Sequence, residues 1–345
     1  MIKIGVDVGI DKIKAVEVNM EKDVVDLLWY DISEFPGNAF YSDSNSDREQ
    51  VVSFLKNYFL DTPFKSSNIV VGIPESKVFT RVIEIPNVSK KELSQTIKWE
   101  AEQYIPIPLS DLTLQYQTLP LDTELEGGSS KIEVLLVGVQ KISVEKYVSI
   151  FDKCGVNIVG IEPESMAIAR TIANASGSNI TTMAVNIGID TTDIIISQSG
   201  FIRFTRSIPT GTLAMGRAIA RDVGLEENQA KSYLESYGLD ESKLDGRVKG
   251  AIDPVFNSIL SELRRSISYY QDRKKGKKIS RVVLCGEGAR IPQSLTRMAG
   301  DLDVEVQLSN PWEKMKIENP KIDKDTLMEL GSIFTTAVGL AIKEV

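Results

Sequence analysis

The chain contains no histidine. Across 345 residues this removes His-based triads, imidazole proton shuttles and His-ligated zinc together. Cysteine is nearly missing as well. Cys154 and Cys285 cannot build a four-thiolate site, and two thiols in a chain of this size suit a reducing compartment, where each reads as a small core residue. Long apolar runs are also lacking: the longest, residues 134–139, falls far short of the ~20 that a membrane span needs and reads as a buried strand. Positive charge is not in excess. With 40 basic and 48 acidic side chains the formal charge is −8, which argues against a nonspecific nucleic-acid or anionic-membrane surface. The first strand, residues 2–8, follows no basic and apolar leader, so the expectation is a cytoplasmic protein.

What is present is ordinary soluble composition, 42% hydrophobic and 26% charged, in a chain long enough for two full cores. Within it, two stretches nearly repeat. Residues 6–11 read Val-Asp-Val-Gly-Ile-Asp and residues 185–190 read Val-Asn-Ile-Gly-Ile-Asp. Each follows a short β-rich run and precedes another, at 13–18 and 193–197, so each reads as strand, tight turn, strand. One such Gly-Asp turn is an ordinary hairpin. Two copies about one domain apart imply duplicated structure, with each domain presenting a glycine turn to a shared cleft. Backbone N–H groups at such turns can meet a phosphate without a Walker lysine.

The order of elements supports the duplication. Strands at 2–8, 13–18 and 24–30 make an antiparallel meander, followed by a helix over 48–59 and a buried strand at 69–73, the opening of an RNase H-like domain. Residues 76–159 read as an insertion of order β-α-β-β-α-β. It comprises a strand at 78–85, a helix to about 105 opened by the Ser89/Glu92 capping box, and strands at 113–119 and 131–139 joined by a polar tip at 122–130. A helix at 143–154 and a strand at 157–161 complete it. After a helix at 164–175, a second meander starts at 182. Helices follow at 212–223, at 226–237 and from 253, the last with Pro254 in its first turn and ending in a basic run at 273–278. A strand at 282–285 then feeds Gly286-Glu287-Gly288-Ala289, and Pro292 opens a helix.

The three loops at 7–14, 186–193 and 286–289 stand in the order of phosphate-1, phosphate-2 and adenosine motifs, so the chain resembles the actin-like ATPase superfamily. Within it the sequence is similar to the PilM family of FtsA-like pilus assembly proteins. Ile-Lys-Trp-Glu-Ala-Glu-Gln-Tyr-Ile-Pro at 97–106, Gly-Ile-Glu-Pro-Glu-Ser-Met-Ala at 160–167 and Ala-Val-Gly-Leu-Ala at 337–341 carry that likeness. The resemblance implies an α/β fold of two RNase H-like domains around a nucleotide cleft. The first core would take residues 1–75 and 160–181, an FtsA/PilM-type subdomain 76–159, the second core 182–211 and 279–345, and a helical subdomain 212–278. The last helix would pack toward the hinge.

It further implies ATP or ADP with magnesium, organised by Asp7, and a nucleotide site of Asp7, Gly9, Ile10, Asp11, Lys12, Lys14, Asn186, Gly188, Asp190, Thr191, Thr192, Gly286, Gly288 and Ala289. Three departures from the pattern argue for weak or absent hydrolysis. Asn186 stands where an acid is usual; Ile10, Asp11 and Lys12 replace small hydroxyl residues; and Lys231 and Leu234 stand at the ribose-contacting Glu and Lys positions.

The implied partner is the N-terminal tail of a PilN-like inner-membrane protein, lying between the first core and the insert, with pilus ATPases and self-association as further contacts. Val82, Trp99, Glu100, Ile105 and Pro106 are the expected partner-binding residues, although Trp99 reads equally as core. On this reading the protein is a cytoplasmic adaptor, peripheral to the membrane through its partner, with no nucleic-acid contact and no direct insertion. An FtsA-like filament protein is the alternative, but no amphipathic anchor is expected after the closing helix. A sugar or acid kinase of the same fold is the second alternative, for which the sequence offers no general base.

Overall fold

The computed structural model describes residues 1–22, 24–35, 40, 42, 44–120, 131–176, 180–273 and 278–345. Strands β1 (Ile2–Val8), β2 (Lys12–Glu21) and β3 (Val24–Glu34) form the expected antiparallel meander. Helix α1 (Asn45–Asp61) leads into β4 (Asn68–Ile73), which returns parallel to β1. Alternation along β1 sorts its side chains: Ile4, Val6 and Val8 join Val51 and Leu55 of α1 in one core, while Lys3, Gly5 and Asp7 point to the other face.

The insert has its own sheet. Strands β5 (Val78–Pro86), β6 (Leu112–Thr118) and β7 (Lys131–Gln140) pair in the order β5-β7-β6, covered by helix α2 (Lys90–Tyr104). Ile83, Ile85, Val134 and Leu136 of the sheet pack on Ile97, Ala101 and Ile105. The Ser89 amide donates to the Glu92 carboxylate at 3.1 Å and the Glu92 amide donates back to the Ser89 side chain, the reciprocal capping box, with the Ser89 hydroxyl also donating to that carboxylate at 2.7 Å. The polar tip expected at 122–130 and most of the basic run at 273–278 lie outside the described residues.

The structure departs from expectation immediately afterwards. Helix α3 (Lys141–Phe151) buries Tyr147, Ile150 and Phe151 in the α1 core, and strand β8 (Asn157–Pro163) pairs in parallel with β4. Strand β8 therefore joins the first sheet and α3 packs in its core, so neither belongs to the insert's own sheet. Local periodicity identifies a strand but not its neighbour, and here the aromatic face of α3 finds Phe40 and Phe59.

Helix α4 (Glu164–Ser176) separates this sheet from a second one. Strands β9 (Thr181–Ile187), β10 (Thr192–Gln198) and β11 (Phe201–Ile208) form the second meander, and α5 (Thr212–Ile219) runs on into a wider turn over Ala220–Gly224. Helices α6 (Glu227–Tyr237) and α7 (Arg247–Arg273) follow, then β12 (Arg281–Cys285), α8 (Ser294–Leu302) and β13 (Glu305–Leu308). The order β11-β10-β9-β12-β13 repeats β3-β2-β1-β4-β8, so the duplication read from the two glycine turns is real. Helix α7 begins at Arg247, ahead of the expected start, and carries Pro254 inside it. Burial of Val248, Ala251 and Ile252 anchors the turns ahead of the proline.

The last segment crosses back to the first sheet. Strand β14 (Met315–Lys316) extends it beyond β3, helix α9 (Lys324–Glu329) follows, and α10 (Thr335–Ala341) lies between β1 and α4. The approach is so close that a Cβ on Gly5 would stand 2.1 Å from the Ala337 carbonyl oxygen, and one on Gly339 2.0 Å from that of Ala167. Small residues at 337–341 are thus a packing requirement. Among the described residues no helix is long and apolar enough to cross a membrane.

Candidate functional site

The two glycine turns face each other across a cleft. In each, the glycine amide closes the turn on the carbonyl three residues on, Gly9 on Lys12 and Gly188 on Thr191, both at 2.9 Å. The first turn enters β2; the second is braced by the start of α5, whose Thr212 and Leu213 amides donate to the Gly188 and Ile189 carbonyls. Between the turns lies a cavity of about 270 Å³ lined by both, by Glu164 at the start of α4, and by Gly286 and Glu287 after β12. A second cavity of about 440 Å³ adjoins it against α5 and α6, with Leu213, Leu234 and Ile291 as apolar wall and Glu227, Asn228 and Lys231 as polar groups. Ile10, Asp11, Lys12, Ile189 and Glu287 line both cavities. Lys231 reaches across the cleft to Asp11 at 3.0 Å.

Charge in the cleft is arranged in pairs. Lys14 Nζ lies 3.0 Å from Asp7 Oδ2 and 3.8 Å from Glu287. Burial works against the ammonium, but Asp7 and Glu287 outweigh it and hold its pKa above that of a free lysine. Burial also raises the Asp193 carboxyl, to about 7, although Ser207 and Asn186 beside it pull the other way and Glu75 adds to the rise. Glu164 is raised well above the usual carboxylate range, first by burial and then by the charges of Asp7 and Asp193. Asp7 and Asn186 sit at matching positions of the two hairpins, and Asn186 brings no charge. Among the described residues no group of three or more His, Cys, Asp or Glu side chains is arranged to hold a metal ion.

A separate groove of about 1060 Å³ runs between the insert and the first domain. One wall is the β6–β7 face, with Thr113, Gln115, Gln117, Leu135, Val137 and Val139; the other is Ile161, Pro163, Met166 and Arg170 of β8 and α4. Among the described residues strand β6 is an outer strand of its sheet, paired to β7 alone. At one end of the groove Glu162 takes two hydrogen bonds from Arg170, at 2.6 and 2.8 Å, and one from Lys343 at 2.8 Å.

Comparison with known proteins places this geometry. The family model described as type IV pilus assembly protein PilM matches residues 5–345. The chain belongs to the PilM family. A solved PilM–PilN type IV pilus biogenesis complex is similar over 99% of this chain and 97% of that one, at 22% identity and a TM-score of 0.85. The ethanolamine utilization protein EutJ of Carboxydothermus hydrogenoformans follows with 14% identity, coverage of 99% and 89%, and a TM-score of 0.57. MreB5 of Spiroplasma citri, solved with AMPPNP, gives 13%, 98% and 94%, and 0.52. The shared fold is the actin-like one.

Against this PilM-family frame, the sequence-expected residues divide. Asp7, Gly9, Ile10, Asp11, Lys12, Lys14, Asn186, Gly188, Asp190, Thr191 and Gly286 all line the first cavity. Thr192, Gly288 and Ala289 are buried away from it. The Thr192 hydroxyl donates to the Thr210 carbonyl at 2.7 Å, and a Cβ on Gly288 would fall 2.3 Å from Ile187 Cγ2. Gly286 has φ +80°, and its missing Cβ leaves room for Asn186 Oδ1, so its first duty is packing of the turn on β9. Of the expected partner residues none lines the groove. Val82 and Ile105 are buried in the core, Glu100 is half-buried, Pro106 is exposed, and Trp99 stands 62% exposed on α2, outside the core. Sequence reasoning missed Glu164, Asp193, Glu227 and Glu287 in the cleft. Residue 193 sits at the β10 position equivalent to Lys14, which the repeat could have revealed.

Proposed function

We propose that this chain is a cytoplasmic adaptor of a type IV pilus inner-membrane platform, holding the N-terminal tail of a PilN-like membrane protein in the groove between insert and first domain. The observation that carries the reading is the groove itself, one wall of which is a strand whose outer edge is unpaired among the described residues. An extended peptide gains main-chain hydrogen bonds along such an edge and side-chain contacts at alternate positions. Thr113, Gln115 and Gln117 offer that spacing, and Leu135, Val137 and Met166 supply apolar surface. The fold shared with the solved PilM–PilN complex supports the choice of partner.

The paired cavities of the cleft would take a nucleotide, with base and ribose against α5 and α6 and phosphates toward Lys12 and Lys14. A likeness to MreB5 solved with AMPPNP supports this part. Asp7 is the carboxylate through which a hydrated magnesium ion would be held. Such an ion neutralises phosphate charge. Asn186 adds no negative charge to hold it, so the cleft serves binding and closure better than turnover.

Photo-crosslinking tests the adaptor reading. A benzoylphenylalanine at position 115, on the exposed edge strand, should capture a synthetic peptide of the tail of the PilN-like protein from the same organism. The same probe at position 99 should not. Capture at 99 with none at 115 would move the partner surface to the outer face of α2.

A further inference from the structure

The groove wall, built by the first domain and the insert, is braced from behind by the second domain. Strand β11 of the second domain is bulged: Ile196 faces Phe204 and Ser197 faces Ile202, which leaves Arg203 without a register partner. A bulge re-aims a side chain, and here it turns Arg203 toward the insert. Its guanidinium, 3% exposed, donates to Glu133 of β7 at 2.8 Å and to the Pro120 carbonyl beyond β6 at 3.0 Å. Glu133 shares a face of β7 with Leu135, Val137 and Val139, the residues that line the groove. Leu135 does both jobs. It lines the groove and also packs in a cluster with Val82 and Leu119 of the insert, Ile168 and Ile172 of α4, and Ile195 and Ile202 of the second sheet.

We propose that Arg203 is a positioning residue through which the second domain sets the groove wall, so that a bound tail and the arrangement of the second domain are energetically coupled. The inference rests on the adaptor reading. Its physical basis is that a buried guanidinium with two directional acceptors allows one placement of β7 relative to β11 and penalises others. The coupling is reciprocal by necessity: whatever shifts the second domain, a nucleotide in the cleft included, must change tail affinity, and the tail must change the second domain. Residues 203 and 133 touch neither the groove nor the cleft, so they can be altered without removing a ligand contact.

Hydrogen exchange of the full chain, with and without the synthetic tail peptide, tests the proposal. In the parent, the peptide should slow exchange in β7 and β8, which wall the groove, and also in β11, which does not. In the doubly substituted chain Arg203→Met, Glu133→Met, the apolar pair fills the site without leaving a charge buried alone. There the peptide should still protect β7 and β8 while protection of β11 is lost. A merely structural role predicts a lower melting temperature with the same exchange pattern. Unchanged exchange in β11 of the parent, or its full protection in the double variant, would overturn the proposal and leave the adaptor reading standing. If the peptide protects neither β7 nor β8 in the parent, the groove is not the tail site and both fall.

Discussion

Asp193 stands in the second hairpin where Lys14 stands in the first. Across the turn Lys14 faces Asp7, and Asp193 faces Asn186. Duplication thus placed a buried cation with a carboxylate on one side of the cleft, and a buried carboxyl with a neutral amide on the other. The first pair is satisfied as an ion pair; on the second side burial favours the protonated Asp193 carboxyl, with Ser207 and Asn186 pulling the other way, and Oδ1 has no hydrogen-bond partner.

Stability should therefore fall as pH rises. Asp193 has a folded-state pKa near 7, raised from an ordinary aspartate, so the folded chain binds a proton more tightly than the unfolded one. The penalty is absent below the unfolded pKa, grows from about pH 4 to 7, and is constant above. Glu164 acts in the same direction. Asp193→Asn should melt higher than the parent at pH 8 and close to it at pH 4.5. Each tenfold change in proton affinity is worth about 1.4 kcal/mol, so a gain of a few kcal/mol at pH 8 is expected. Equal effects at both pH values in calorimetry would show that Asp193 is ionised throughout.

Helix α10 should tolerate no added atom where it meets β1 and α4. Gly339→Ala puts a Cβ against the Ala167 backbone, and Gly5→Ala puts one against α10. Overpacking of a rigid site costs about 1–3 kcal/mol or more, so either variant should show a lower denaturant midpoint than Gly216→Ala or Gly300→Ala, which have open space. Wild-type midpoints for the first two would mean that α10 can move away from β1.

The cleft bridge should matter for ligand binding and little for the fold. Asp11 and Lys231 are both partly exposed, and pairs of this kind contribute ~0–1 kcal/mol. Asp11→Ser should leave the melting temperature of the free protein nearly unchanged. With ATP it should melt higher than the parent, because a negative charge is removed from the phosphate side of the cleft. A smaller ATP-induced rise in the variant would show that Asp11 helps to hold the ligand.

Turnover should be slow. Glu164 is a half-buried carboxyl lining the cleft whose ionised form is disfavoured by desolvation and by the charges of Asp7 and Asp193, which works against it as a general base. Phosphate release from ATP with magnesium should stay far below the ~10 per second typical of enzymes, and Glu164→Gln should leave it there. A rate of enzymatic size, lost in that variant, would make the cleft catalytic.

Much of this fold was legible in the chain. The repeated glycine turn and the period-two runs around it announce both meanders, and the Ser89/Glu92 box and the stripe Ile97, Ala101, Ile105 announce α2. What escaped depends on partners distant in sequence. Strand β8 is a strand by its own residues but belongs to β4; β14 is two residues long and exists only through β3; α7 runs through Pro254 because Val248 and Ile252 are buried elsewhere. The cleft was legible through its loops, since those carry the glycines. Asp7, Asp11 and Asp190 came with those loops, whereas Glu164 and Asp193 did not: they stand at the start of an ordinary helix and strand, and only the meeting of two domains brings them together. The place of the partner groove, between the first core and the insert, came with the family resemblance; its lining residues did not, since a space between β6–β7 and α4 is encoded by no local pattern.

The central claim is that the groove seats the tail. Calorimetric titration of the synthetic tail peptide into the full chain tests it most directly, with Gln115→Trp to fill the groove from an exposed strand and Trp99→Ala to strip the outer face of α2. The account predicts saturable binding by the parent, unchanged binding by Trp99→Ala, and binding lost in Gln115→Trp at an unchanged melting temperature. Undiminished binding by Gln115→Trp together with loss in Trp99→Ala would contradict it.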